Sequence, residues 1–178
     1  VEEVVLAHLD DELRDDLDQL VILPMPVMAT SAPNSESIGL FDEYALLRWT
    51  KNDEKMEVQH LVRNVRRSLL DEKTLIELHK KAILHWQQSA NSDKEKVVLL
   101  YHRVAAEDEN LKFHFEREIE ALLPTQSAAV SVILQEALNI YHDDVDLHYM
   151  AAHVAIQRGE SEHAEKHLQH LIDDSRGA

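Results

Sequence analysis

Apolar positions recur at helical spacing along most of this chain, and the period changes in one place. Val5, Leu9, Leu13 and Leu20 form a stripe with Leu6 and Leu17 beside it and acids opposite, which predicts an amphipathic helix over Glu2 to Leu20. Val21 to Ser35 holds three prolines and no period, so it reads as a partly buried connector. A helix is expected to start at Ser35 or Ser37 and to run through Phe41 and Leu47. From Leu46 to Trp49, and again from Met56 to Gln59, the residues alternate around the polar run Lys51-Asn52-Asp53-Glu54. That pattern predicts a β-hairpin over 46 to 59. Helical spacing resumes at Leu61, where Val62, Val65, Leu69 and Leu70 share one side.

Further on, Asp71 is placed to cap a helix over Glu72 to Gln88, with Leu75, Leu78, Ala82 and Trp86 along one side. Ser92 with Glu95 three residues later makes a capping box for a helix through Val97, Val98, Tyr101 and Val104. The stripe Leu111, Phe115, Ile119 and Leu122 is expected to stop at Pro124, and Thr125 or Ser127 to open a new helix through Val130, Ile133, Leu134, Ala137 and Tyr141. The last two helices, Val145 to Arg158 and Glu160 to Asp174, hinge at Gly159. A shift of 34 residues lays Val130 on Ala164, Leu134 on Leu168, Ala137 on Leu171 and Leu138 on Ile172. This is the period of a tetratricopeptide hairpin, with Ala152 and Ala164 at the small positions and Gly159 at the turn. The chain departs from that pattern in three ways: His148 stands where a Trp is favoured, Ser161 where a Tyr is, and no Pro ends the unit. The fold class expected is mainly α. A winged-helix unit with one β-hairpin and a linker helix occupies 1–90, and an antiparallel, tetratricopeptide-like helical-hairpin array occupies 91–178.

The formal charge is −16, and the first twenty residues hold eight acids against one Arg14. Such a field repels phosphate backbones and anionic lipid, so it disfavours nucleic-acid and membrane partners and suits basic protein surfaces. The chain has no cysteine, and the apolar run Val21 to Ala29 is nine residues broken by Pro24 and Pro26. Disulfides and thiolate metal sites are excluded, the run is too short to span a bilayer, and a cytoplasmic setting is expected. With Val1 in place of an initiator Met and no signal-peptide pattern, the chain reads as a fragment of a longer protein.

At EVQHLVRNVRR, residues 57 to 67, the sequence resembles the end of the winged-helix domain of NB-ARC-type STAND ATPases, which are signal-transducing nucleotide switches. The upstream FDEYALLRW and the downstream LHKKAILHW are similar to the elements that flank it there, so the likeness covers about Asp16 to Trp86. The resemblance implies a regulatory, non-catalytic segment that holds an ATPase module off and is released when its repeats bind a partner. Its partners are a protein ligand or that ATPase module, with oligomerisation in the full-length protein. The family histidine that senses the ADP diphosphate falls at Gln59, with His60 next to it, so the resemblance places ADP-phosphate sensing at Gln59 and His60. A neutral amide donates a hydrogen bond without adding charge, whereas an imidazole offers both. ATP or ADP would be held by another part of the protein, because the chain has three glycines and no Gly-x-x-x-x-Gly-Lys-Ser/Thr loop.

Other readings compete. A constitutive helical scaffold for a partner peptide needs no switch. A winged-helix DNA binder would use the basic cluster Arg48, Lys51, Lys55, Arg63, Arg66 and Arg67, although these side chains can equally pair with the acidic first helix. His163, His167 and His170 lie on one helical face at a spacing that suits Zn²⁺ or Ni²⁺, or simply a polar face. Trp49, Trp86, Phe113 and Tyr149 either line a groove or fill the core. No catalytic residue is expected, since paired acids such as Asp143-Asp144 and Asp173-Asp174 sit at helix ends, where capping is their ordinary work.

Overall fold

The computed structural model describes residue 6, residues 8–50 and residues 54–177, with side chains through 172. The chain is mainly helical with a small three-stranded antiparallel sheet, and it divides into two compact units, Val1–Ala90 and Asn91–Ala178.

In the first unit, α1 (Asp11–Val21) starts where Asp10 turns extended and its carboxylate accepts from Leu13 N at 2.9 Å. The expected helix over 2–20 is therefore interrupted at Asp10, because a cap residue must leave helical geometry to present its side chain to the first turn. Residues 1–5 and 7 of that expectation lie outside the described residues. The connector after α1 is more ordered than its prolines imply. Val27 and Met28 form β1, followed by 3₁₀ turns at Ala29–Ser31 and Ser35–Ser37. Next comes α2 (Ile38–Glu43), shorter than the expected helix through Leu47, because Ala45 takes a left-handed φ of 54° and turns the chain into the sheet.

The hairpin is present: β2 (Leu47–Trp49) pairs antiparallel with β3 (Lys55–Val58), placing Leu47 opposite Val58, Arg48 opposite Glu57 and Trp49 opposite Met56. Leu47, Met56 and Val58 point inward, whereas Arg48 and Glu57 form an ion pair on the outer face, as a period of two requires. The expected single hairpin becomes a sheet of order β1-β3-β2, since β1 covers the other edge of β3 with Val27 opposite Met56. The tip at 51–53 lies outside the described residues.

From β3 the chain passes into α3 (His60–Leu69) and then α4 (Glu72–Ser89), which Asp71 caps through Thr74 N at 2.7 Å. Leu17, Leu20 and Val21 of α1 join Phe41, Met56, Val58, Val62, Leu78, Ala82 and Trp86 in one core.

The second unit is helical. The Ser92–Glu95 capping box opens α5 (Asp93–Ala105), which packs against α6 (Leu111–Ile140). Pro124 does not end α6; two residues later Gln126 leaves helical geometry (φ −131°, ψ 19°) and the axis kinks. Proline removes one N–H from the ladder, which here bends the helix and leaves its second half intact. α6 packs on α7 (Val145–Gln157), and α7 packs on α8 (Ser161–Gly177) across a turn in which Gly159 has φ 73°. The small residues Ala152 and Ala164 are buried in these helices, together with Phe115, Leu122, Val130, Leu134, Ala137, Leu147 and Val154.

Candidate functional site

The strand-to-helix junction at Gln59 and His60 occupies a single residue. Gln59 N donates to Leu46 O at 2.8 Å, and Gln59 O accepts from Arg63 N at 2.9 Å, so Gln59 ends the sheet and begins the helix. Its side-chain Nε2 donates to Leu47 O at 3.1 Å. That contact engages one amide hydrogen with the neighbouring strand, and Gln59 provides no side-chain cap for α3. His60, by contrast, is exposed as the first residue of α3, with Nδ1 3.4 Å from Asn64 Nδ2. It stands at the positive end of the helix, where first-turn N–H groups face outward. Of the two residues, His60 is the more exposed.

Three arginines of the basic cluster are engaged within the unit. Arg66 donates two hydrogen bonds to Asp18 on α1, at 2.8 and 2.7 Å. Arg48 pairs with Glu57, and Arg63 Nη2 lies 3.9 Å from the same carboxylate. Lys51 lies outside the described residues.

The histidine face is rearranged relative to its spacing. His163 Nδ1 turns to Glu160 at 3.5 Å, while His167 and His170 close on His148 from α7. His148 Nδ1 is 3.0 Å from His167 Nδ1, His148 Nε2 is 2.8 Å from the carbonyl oxygen of His142, and the His148 and His170 ring centroids are 3.8 Å apart. Burial, followed by the charges of His148 and Lys166, pushes the His167 pKa below the ordinary histidine value. Among the described residues no three His, Asp or Glu side chains are placed to hold a metal ion. His148 was missed because it lies 19 residues from His167, a separation that spacing on one helix does not address. One signal was available: in the 34-residue pattern expected from the sequence, His148 stands where a large ring is favoured, and such a position implies a side chain turned toward the facing helix.

The aromatics divide. Trp86 is fully buried, and Trp49 Nε1 donates to Asp42 at 2.7 Å, whereas Phe113 and Tyr149 are exposed. Tyr149 borders a groove of about 230 Å³ with Glu116, Ile119, Glu120, Asp146, Met150 and His153. A cavity of about 290 Å³ lies among α6, α7 and α8, with Leu134, Ala151, Val154, Glu160 and His167 in its walls. The Asp143-Asp144 pair does helix-end work. Asp144 caps α7 through Leu147 N at 3.1 Å and meets Lys112 at 3.1 Å, while Asp143 lies 3.0 Å from His142 Nε2. Burial pushes the Asp144 carboxyl up, but the Leu147 amide and Lys112 outweigh it and hold the pKa low. A carboxylate so held stays charged and makes a poor proton donor. The side chains of Asp173 and Asp174 lie outside those described.

No family model, curated protein or solved structure matches this chain. Among the described residues no helix is long and apolar enough to cross a membrane.

Proposed function

We propose that this chain is a non-catalytic regulatory segment of a STAND-type nucleotide switch, in which a winged-helix unit precedes tetratricopeptide-like hairpins that engage a protein partner. The observation that carries the reading is the junction at 58 to 60, where an antiparallel hairpin runs without a loop into α3 and leaves His60 exposed at the helix start. In the full-length protein His60 would face the diphosphate of ADP held by another module, offering a ring N–H and, when protonated, a positive charge. Gln59 fits that role less well, because one hydrogen of its amide is donated to Leu47 O and the neutral amide adds no charge. The helical hairpins bias the switch by binding their partner more tightly in one of its two states.

The test is on the parent gene and its product. The coding sequence upstream of Val1 should contain a P-loop, and in the full-length protein His60→Ala should weaken ADP retention about ten-fold, the loss of one hydrogen bond to a charged group. An upstream sequence without a P-loop ends this reading, as does ADP affinity that ignores residue 60.

The groove at Tyr149 favours a second reading, a constitutive scaffold that takes a basic peptide against Glu116, Glu120 and Asp146. Such a scaffold binds an arginine-rich peptide with affinity that falls with salt and with Tyr149→Ala, and it requires no nucleotide.

A further inference from the structure

His148 is held from three sides, and its surroundings dictate where its hydrogens are. The carbonyl oxygen of His142, 2.8 Å from Nε2, can only accept, so Nε2 of His148 carries a hydrogen. In the neutral ring that leaves Nδ1 with a lone pair. His167 must then supply the hydrogen that lies between the two Nδ1 atoms, 3.0 Å apart. One hydrogen therefore bridges α7 and α8, and His167 keeps its own lone pair at Nε2.

We propose that the His148–His167 pair is a proton-operated latch between α7 and α8, closed while one hydrogen bridges the two Nδ1 atoms and opened when acid places a hydrogen on both. A first added proton goes to His167 Nε2 and leaves the bridge in place. The second has nowhere to go but His148 Nδ1, where two N–H groups would then point at each other across 3.0 Å. Two imidazolium rings in contact add charge repulsion to the lost hydrogen bond. The surroundings give this charge little relief. On α8, His163 and Lys166 raise the positive field at His167, and His170 stacks on His148 with planes 31° apart. Ahead of α7, Asp143 is taken by His142; Asp144 is taken by Lys112 of α6 and the Leu147 amide; Glu160 is taken by Arg158 and His163. Among the described residues no carboxylate lies within ion-pair distance of either bridging ring. Because His167 also forms part of the wall of the cavity among α6, α7 and α8, opening the latch changes the shape of that cavity.

The experiment is a side-chain nitrogen NMR titration of the 178-residue chain from about pH 8 to about pH 5, the range of histidine chemistry, read together with amide-exchange protection along α8. At the alkaline end His148 should appear as the Nε2–H tautomer and His167 as the Nδ1–H tautomer. At the acid end protection in α8 should fall about ten-fold for each pH unit of further proton uptake. His148→Asn, whose Oδ1 accepts from His167 but takes no proton, should hold its protection over the same range. Both rings in the Nε2–H form would overturn the latch, and so would loss of α8 protection that is the same in the wild type and His148→Asn. The tautomer measurement needs no variant and decides the matter even if His148→Asn folds poorly.

Discussion

Arg66 and Asp18 face each other through two parallel hydrogen bonds, Nε to Oδ1 at 2.8 Å and Nη2 to Oδ2 at 2.7 Å, with each side chain about nine-tenths buried. The planar guanidinium matches the carboxylate fork, so the pair fastens α1 to α3 within the first unit. It also removes the central arginine of the basic cluster from any phosphate contact.

Breaking this pair from one side should cost much more than removing it altogether. Arg66→Met leaves the Asp18 carboxylate buried without its partner, a loss of about 3–5 kcal/mol. Asp18→Leu combined with Arg66→Met should recover most of that loss, because no uncompensated charge remains. Urea unfolding of the two single variants and the double variant reads the coupling. Losses that simply add would show that the two side chains act independently.

His79 on α4 makes the first unit sensitive to acid. Burial, then the charge of Arg67, lowers its pKa from 6.5 to about 4, so the folded chain holds a neutral ring where the unfolded chain takes up a proton. Between these two values the unfolded state binds more protons, so stability rises with pH and is lost as pH falls from 6.5 toward 4. At 1.36 kcal/mol per pH unit the whole loss is at most about 3 kcal/mol. His79→Leu should flatten this part of the pH profile in chemical denaturation. An unchanged slope would mean that His79 is not its source.

Ser92 closes a reciprocal cap at the start of α5, accepting from Glu95 N at 3.3 Å while Glu95 Oε2 accepts from Ser92 N at 2.9 Å. Ser92→Ala should cost about 1 kcal/mol, and Glu95→Gln less, because an amide oxygen still accepts. Denaturation midpoints of the two variants test the order.

What could be read from the chain was local. The capping residues Asp71 and Ser92 and the alternation around 46 to 59 report on neighbours a few residues apart, and the structure has all three. β1 could not be read, because a strand of two residues after Pro24 and Pro26 exists only through its partner, with Val27 held opposite Met56 across the fold. The partner of the histidine face could not be read for the same reason. The spacing of 163, 167 and 170 specified one face of α8, but the ring that organises this face belongs to α7. At the Gln59–His60 junction the resemblance puts the family histidine at Gln59, with His60 one position away. In the structure they differ: Gln59 donates to the Leu47 carbonyl at 3.1 Å, and His60 is exposed.

Among the described residues three helices end in the same motif, and only one of the three has the residue that suits it. After α7, Glu160 N donates to Ala155 O and Gly159 N to Ile156 O; after α2, Leu46 N donates to Phe41 O and Ala45 N to Asp42 O; after α5, Asp108 N donates to Arg103 O and Glu107 N to Val104 O. In each case the second residue past the helix end, one beyond the cap, takes a left-handed φ, 73° at Gly159, 54° at Ala45 and 52° at Glu107. A side chain in that region costs about 1–2 kcal/mol, of which the extra freedom of an unfolded glycine takes back about 0.5–1 kcal/mol. Ala45→Gly and Glu107→Gly should therefore each stabilise the chain by up to about 1 kcal/mol. Gly159→Ala should destabilise it by a similar amount through backbone strain alone, since no neighbouring atom lies within 4 Å of the added carbon. Chemical denaturation of the three variants gives the signs. A loss of stability in Ala45→Gly would show that unfolded-chain entropy outweighs the strain at that turn.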